Sequence, residues 1–324
     1  MTMKQLVLAC AAAFAALAAS STLAQTYPAK PIRVIMAQAP GSATDVVART
    51  ISNKLQEALG QPLVIDARPG AGGTLGTDIA AKAPPDGYNL FMANNSTHGS
   101  NPALYAKLPY DAVKDFAPII FVAATPYVLC VHPSLPVTTV KQLIALAKSK
   151  PGQINYASAG NGSTHHLSGE LLKTMAGIDI VHVPYKGTTP ALAGLIGGEV
   201  SIMFATVTGA APQIKAGRIK GLAVTTPKRS DMMPGVPTIS EAALPGFEML
   251  SWFGLLAPAA TPRAIITRMN TETAKVLAMP EIRSALGAQG LEARGGTPEQ
   301  FGDYIKGEIA KVTKIAKAAG VKAE

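Results

Sequence analysis

The sequence predicts an α/β protein of two domains with mostly parallel sheets. β-type and α-type segments alternate from residue 31 to residue 257, the pattern of sheets layered with crossover helices. At 324 residues the chain exceeds the roughly 250–300 residues over which a single core keeps growing. Two long β-rich runs, over 117–131 and 247–257, flank the middle third and are natural crossing strands. They divide the chain into a discontinuous first domain, 25–125 plus 248–324, and an inserted second domain, 126–247.

Taken in order, Pro31 to Ala37 is a short apolar strand followed by a Pro-Gly-Ser loop. Val47, Ile51, Leu55 and Leu59 recur at helical spacing, so 44–59 is a helix, closed by Gly60. Residues 62–66 read as a second strand, 74–82 as a helix after a glycine loop, and 88–93 as a third strand after the Asp86-Gly87 turn. The 117–131 run is interrupted at Pro126, and the helix over 139–148 stops at Pro151-Gly152. Strands then follow at 154–158, 180–185, 200–205 and 219–225, with helices at 165–176, 190–196 and 211–216 between them. A proline-rich connection (Pro227, Pro234, Pro237) precedes the 247–257 run, and the remainder is helical. Thr261-Pro262 sets an N-cap with proline at the first helical position, and Thr297-Pro298-Glu299-Gln300 forms a capping box. These last helices have few strands of their own and are expected to cover the first domain.

The first 24 residues read as a cleaved export signal. Lys4 supplies a positive start, Leu6 to Ala19 an apolar stretch, and Thr22-Leu23-Ala24 the small residues of a cleavage site. That stretch is shorter than the roughly 20 residues a bilayer span requires. Cleavage removes Cys10 and leaves Cys130 as the one thiol, a buried small apolar residue in this reading. A disulfide framework and a cysteine zinc site are both excluded. The formal charge is +9, from 29 Lys plus Arg against 20 Asp plus Glu. The basic residues are dispersed, with no run of five, so a nucleic-acid-binding arm is not expected.

Gly70-Ala71-Gly72-Gly73-Thr74-Leu75-Gly76 invites a dinucleotide-binding reading, but Leu75 stands where the third glycine is required. The plainer reading is a glycine loop that lets a helix pack tightly against a strand. No Gly-Lys dipeptide exists, so a P-loop is excluded. His165 and His166 are adjacent rather than three or four apart, so they point to different helix faces and no metal site is expected. No G-x-S-x-G elbow signals a hydrolase, and no cofactor is implied.

Two loops carry the functional signal. Ala39-Pro40-Gly41-Ser42-Ala43-Thr44-Asp45 joins the first strand to the first helix, and Gly160-Asn161-Gly162-Ser163-Thr164-His165 does the same in the middle third. Both are small, glycine-containing and hydroxyl-rich. A helix start offers free amides and the positive end of the helix dipole, a ready anion site. Ligands of open α/β sheets bind at the carboxyl ends of strands, where such loops lie. Ordinary capping by Ser42 or Thr44, and by Ser163 or Thr164, explains either loop alone. One loop per domain favours a carboxylate held between them.

Further motifs resemble a known family. They are Tyr27-Pro28 with Pro31-Ile32-Arg33, Pro40-Gly41 with Asp45 and Ala48-Arg49, and Arg68-Pro69-Gly70-Ala71-Gly72-Gly73 followed by Pro85-Asp86-Gly87-Tyr88. Gly162-Ser163 with His165 and Leu167, then Val183-Pro184-Tyr185-Lys186-Gly187, continue the series. Gly217-Arg218-Ile219 with Leu222-Ala223-Val224, and Val236-Pro237-Thr238, complete it. In this order they are similar to the periplasmic solute-binding receptors of tripartite tricarboxylate transporters, the Bug-type receptors. The resemblance implies a two-lobed periplasmic-binding-protein architecture (type II, a Venus flytrap) with a hinge. It also implies a periplasmic, monomeric receptor that captures a small organic carboxylate and delivers it to membrane transporter subunits.

By resemblance, Pro40, Gly41, Ser42, Thr44 and Asp45 face the ligand from one lobe, and Asn161, Gly162, Ser163 and Thr164 from the other. Tyr185 and Lys186 stand at a following strand end, while Ser96 and Thr206 line the sides. Asp45 either caps backbone amides or meets the ligand through an amine or a bridging water. Tyr185 is a packing or a ligand residue, Lys186 a surface or a ligand lysine, and His165 a support for its loop. Gln38 departs from the family's strand end and adds an amide at the pocket mouth. Two other classes stay open: a periplasmic enzyme on this fold, for which Asp45 and His165 are the acid–base candidates, and a receptor that serves a signalling sensor.

Overall fold

The computed structural model describes residues 27–321; the expected export signal and Cys10 lie outside them. Ten strands form two sheets that share one strand. The first lobe contains β1 (Ile32–Met36), β2 (Leu63–Ala67), β3 (Asn89–Asn94), β9 (Leu250–Pro258) and β10 (Glu292–Gly295). The second contains β5 (Asn155–Ser158), β6 (Val181–Pro184), β7 (Ile202–Thr206) and β8 (Lys220–Val224). β4 (Phe116–Val131) belongs to both. The first sheet runs β2-β1-β3-β9-β4-β10 and the second β6-β5-β7-β4-β8.

The expected break at Pro126 is a change of partner within one continuous strand. Up to Pro126, β4 pairs with β9, ending at Pro126 against Leu250. From Tyr127 onward it pairs with β7 and from Val128 with β8. Proline lacks an N–H to donate, so it sits where one ladder ends and the next begins. Thr225 secures the junction, donating its amide to the Tyr127 carbonyl at 2.9 Å while its hydroxyl accepts the Tyr127 amide at 3.1 Å. Pairing is parallel in the strand–helix–strand portions and antiparallel wherever β4 or β9 takes part. The expectation of mostly parallel sheets thus holds only for those portions. A strand arriving from the other lobe is free of the crossover connection that makes neighbours parallel.

α1 (Ala43–Leu59) buries Val47, Ile51, Leu55 and Leu59 against β1, as the periodicity requires. α2 (Thr74–Ala81) follows the glycine loop, whose tight-packing role is visible at Gly76. A Cβ there would stand 2.6 Å from the Arg68 carbonyl and 2.8 Å from the Ala37 Cα. A π-helical turn (Ser96–Ser100) and α3 (Asn101–Leu104) follow β3; nothing in the hydrophobic pattern announces them. The second lobe adds α4 (Val140–Ser149), α5 (Thr164–Ala176), α6 (Thr188–Ile196), α7 (Val207–Lys215) and the short α8 (Ile239–Ala242). Cys130 is fully buried in this lobe, and burial pushes its thiol up, as expected of an inert core residue.

α9 (Arg263–Ala278), α10 (Pro280–Ala288) and α11 (Pro298–Ala319) close the chain. The Thr297 capping box forms as expected. Thr261 does not cap α9: Pro262 occupies the N-cap, and the Thr261 hydroxyl is buried without a partner. The last helix also reaches further than the first lobe. Phe301 and Ile305 pack with Trp252 in the first lobe, whereas Val312 and Ile315 enter the second-lobe core beside Tyr127 and Phe204. Between them Glu308, 2% exposed, pairs with Lys311 at 2.6 Å. Burial raises its carboxyl above the ordinary range despite that lysine. At Gly254 on β9 an added Cβ would stand 2.0 Å from the Phe301 ring, so the helix seats directly on bare backbone. Gly254→Ala is expected to destabilise the protein by about 1–3 kcal/mol through overpacking, measured by urea denaturation, and Gly254→Ala with Phe301→Leu to recover part of the loss.

Candidate functional site

The two signal loops occupy equivalent places. β1 lies between β2 and β3, all parallel, and β5 lies between β6 and β7, all parallel. Each loop therefore leaves the middle strand of a parallel triplet at the point where the chain's direction of winding reverses, the usual ligand crevice of such sheets.

Their internal bonding matches residue for residue. Gly41 and Gly162 both adopt positive φ, +81° and +71°, a conformation that glycine enters without steric cost. Ser42 and Ser163 follow as N-caps, accepting from the amides of Asp45 and His166 at 3.3 Å each. Each serine amide donates back at 3.2 Å, to Ala39 and to Gly160. Each glycine amide donates to the side chain four residues on: Gly41 to Asp45 Oδ2 at 2.9 Å, Gly162 to His166 Nδ1 at 3.1 Å. The amides of Ala43 and Thr44, and of Thr164 and His165, meet no acceptor among the described residues. Each lobe thus presents two free donors at a helix start, where the helix dipole favours an anion.

Asp45 takes the amide-capping alternative. It is buried, accepts from Gly41 and pairs with Arg49 at 2.8 Å. Burial pushes its carboxyl up, but the Arg49 and Gly41 hydrogen bonds outweigh that and hold it below the ordinary value. Thr44 is buried too, its hydroxyl accepting from Asn94 at the end of β3 at 3.0 Å. Pro40 and Gly41 are exposed at the tip. Ser96 is exposed at the start of the π-helical turn, and Thr206 caps α7. Asn161 is exposed, and Gly162 lies across from Leu104 of the first lobe, 3.0 Å from the position of an added Cβ.

Tyr185 packs in the second-lobe core, and its hydroxyl donates to Glu199 at 3.0 Å, within its own lobe. Lys186 is exposed and outside every ion pair of the described residues. His165 rests edge-on against Tyr127, its ring 5.0 Å away, and burial lowers its pKa to about 4. It therefore supports the loop in neutral form. Gln38 Oε1 is buried without a partner. Sequence reasoning overlooked Asn94 and Asn95. Asn95 extends the sheet with its side chain, donating to the Leu250 carbonyl at 2.7 Å and accepting from the Trp252 amide. Two asparagines at a strand end were the only signal. No group of three metal-ligating side chains occurs among the described residues. A cavity of about 600 Å³ lies away from both loops, whereas one of about 770 Å³ borders the second loop and is lined by Asn161, His166 and His182.

The family model described as the tripartite tricarboxylate transporter family receptor matches residues 47–321. The chain belongs to that receptor family. The receptor is 35% identical to protein BugT of Bordetella pertussis over 305 residues, 94% of each chain. Among solved structures, it resembles the R. palustris protein Rpa4515 with adipate at 39% identity and a TM-score of 0.73. That match covers 91% of this chain and 99% of the other. It also resembles MatC of Rhodopseudomonas palustris with bound malate, at 32% identity and a TM-score of 0.69, over 89% and 99% of the two chains. Such family members are solute-binding proteins on the same two-lobed fold. No described helix of the receptor is long and apolar enough to cross a membrane.

Asp45→Ala is expected to cost about 1 kcal/mol, since the Gly41 amide loses its buried acceptor while the pair with Arg49 is solvent-screened. The folded state holds this carboxyl below its ordinary value, so its contribution is present above about pH 4 and lost as acid protonates it. Denaturation midpoints of both proteins at pH 7 and pH 3 should converge at the lower pH.

Proposed function

We propose that this protein is a periplasmic receptor that binds a small organic carboxylate between its lobes and delivers it to membrane transporter subunits. The observation that carries the reading is the matched pair of loops, each with two unused amides at a helix start. The relatives with adipate and malate support the ligand class. In this reading the carboxylate is held by backbone dipoles and by the exposed residues Gly41, Asn161 and Ser96, with Pro40, Ser42, Ser163 and Thr206 shaping the walls. Asp45 and Thr44 hold the first loop in form. Lys186 attracts the anion from the rim.

Ligand binding favours the closed arrangement because only there do both loops meet the same molecule. No step of chemistry is assigned. Asp45 is bonded to Arg49 and Gly41, and His165 is buried beside Tyr127 with its Nε2 3.4 Å from the Thr188 hydroxyl; neither is assigned a proton transfer. The protein acts as a monomer that presents its outer face to the transporter.

A thermal-shift screen of C4–C6 aliphatic and aromatic carboxylates tests this directly. A ligand at a hundred times its Kd adds about 2.7 kcal/mol of stability, expected as a rise of several degrees in Tm. No response to any carboxylate at millimolar concentration would sink the reading.

A further inference from the structure

The two loops differ at one place in their shared bonding scheme. Where the first uses a carboxylate, Asp45, to receive the glycine amide, the second uses an imidazole. We propose that His166 is the positioning residue of the second-lobe loop, holding Gly162 and the free Thr164 and His165 amides in place through a neutral ring. This rests on the receptor reading above and extends it to the control of one half of the site.

A backbone amide only donates, so the Nδ1 that accepts from Gly162 carries no proton. The neutral ring is therefore the Nε2–H tautomer. Its orientation is over-determined. His166 stacks on His182 with centroids 3.8 Å apart and planes 5° from parallel. Its Nε2 faces Glu170 Oε1 at 4.0 Å, and Glu170 is itself held by the Tyr156 hydroxyl at 2.7 Å and by Lys173 at 3.2 Å. The second ring secures the other end of the loop: His182 Nε2 bonds Ser158 Oγ at 2.6 Å, and Ser158 Oγ accepts from the Gly160 amide at 3.1 Å. Two stacked imidazoles thus hold the loop from beneath, one at Gly162 and one through Ser158 at Gly160.

A proton added at Nδ1 would set two N–H groups against each other and release Gly162. The groups facing His166 are Glu170 and Lys173 from α5, His182 from β6 and Tyr156 from β5. Ala318 and Ala319 of α11, and Gly320 and Val321 just past its end, complete the cavity beside the rings without a titratable group. Through that cavity the rings have a path to solvent. Burial holds both histidines below the ordinary value, His182 at about 4, with repulsion between the rings adding to it there. The loop is therefore intact at neutral pH and loosens as pH falls below the usual histidine range. The first-lobe loop, built on Asp45 and Arg49, keeps its form to lower pH.

Two measurements test this. In the unliganded protein, ¹⁵N spectra of the imidazoles should show His166 as the Nε2–H tautomer at pH 7, with the Gly162 amide resonance shifting as the ring titrates. In calorimetry with adipate as probe, His166→Ala should bind about tenfold more weakly at pH 7.5, the effect of one lost hydrogen bond. His166→Asn places an acceptor oxygen where Nδ1 stands and should bind within about twofold of the wild type at pH 7.5. As pH falls from about 7.5 to about 4 the wild type should lose affinity toward the roughly tenfold deficit of His166→Ala while His166→Asn does not, because adipate's own protonation affects both proteins equally. An Nδ1–H tautomer at pH 7, a Gly162 amide unmoved in His166→Ala, or identical pH profiles for wild type and His166→Asn would each overturn the proposal. If no carboxylate binds while the tautomer and the Gly162 shift are as expected, the receptor reading fails and the positioning role stands.

Discussion

The backbone ladder of β4 is the constraint from which the rest of the molecule follows. Sixteen residues form one continuous strand, yet the hydrogen bonds on either side change owners between Pro126 and Tyr127. A strand cannot bend sharply without losing those bonds, so the two sheets stay joined through it. Thr225 fills the gap that the proline leaves by offering both an amide and a hydroxyl to Tyr127. Tyr127 in turn carries the ring against which His165 rests. The junction between lobes and the root of the second loop are therefore one packed unit.

The loops of the proposed site rely on dipoles rather than on basic side chains. They carry a single carboxylate, already paired with Arg49, and their unused groups are amide dipoles. Oriented dipoles cost no rearrangement when an anion arrives, and they place it by direction as well as by charge. The overall +9 charge contributes only a diffuse field. In the proposed receptor, ligand choice would depend on how far apart the two sets of amides stand and on the side chains between them.

Much of this is legible in the sequence because it is local. Helical spacing at Val47, Ile51, Leu55 and Leu59, the Ser42 and Ser163 caps, and the crossing strands are all encoded within a few residues. The glycine loop at 70–76 was readable for the same reason. What escaped depends on partners distant in the chain. β10 acquires strand structure only by lying against Ala123 and Ala124. Asn95 matters because Leu250 and Trp252 end beside it. His166 read as half of an adjacent histidine pair with no metal spacing, and its true companion, His182, lies sixteen residues away on another element. The full reach of α11 was hidden likewise, since its amphipathic stripe does not say that its two halves face different cores.

That helix has a mechanical consequence. Phe301 and Val312 are anchored in separate cores, and eleven residues of α-helix span roughly 16 Å of nearly inextensible rod. The distance between the two anchor points is thereby fixed, so a receptor of this build would open by rotation rather than by separation along the helix. In the proposed receptor that restriction would leave the side chains at the cleft rim free to differ without altering how the two halves are joined.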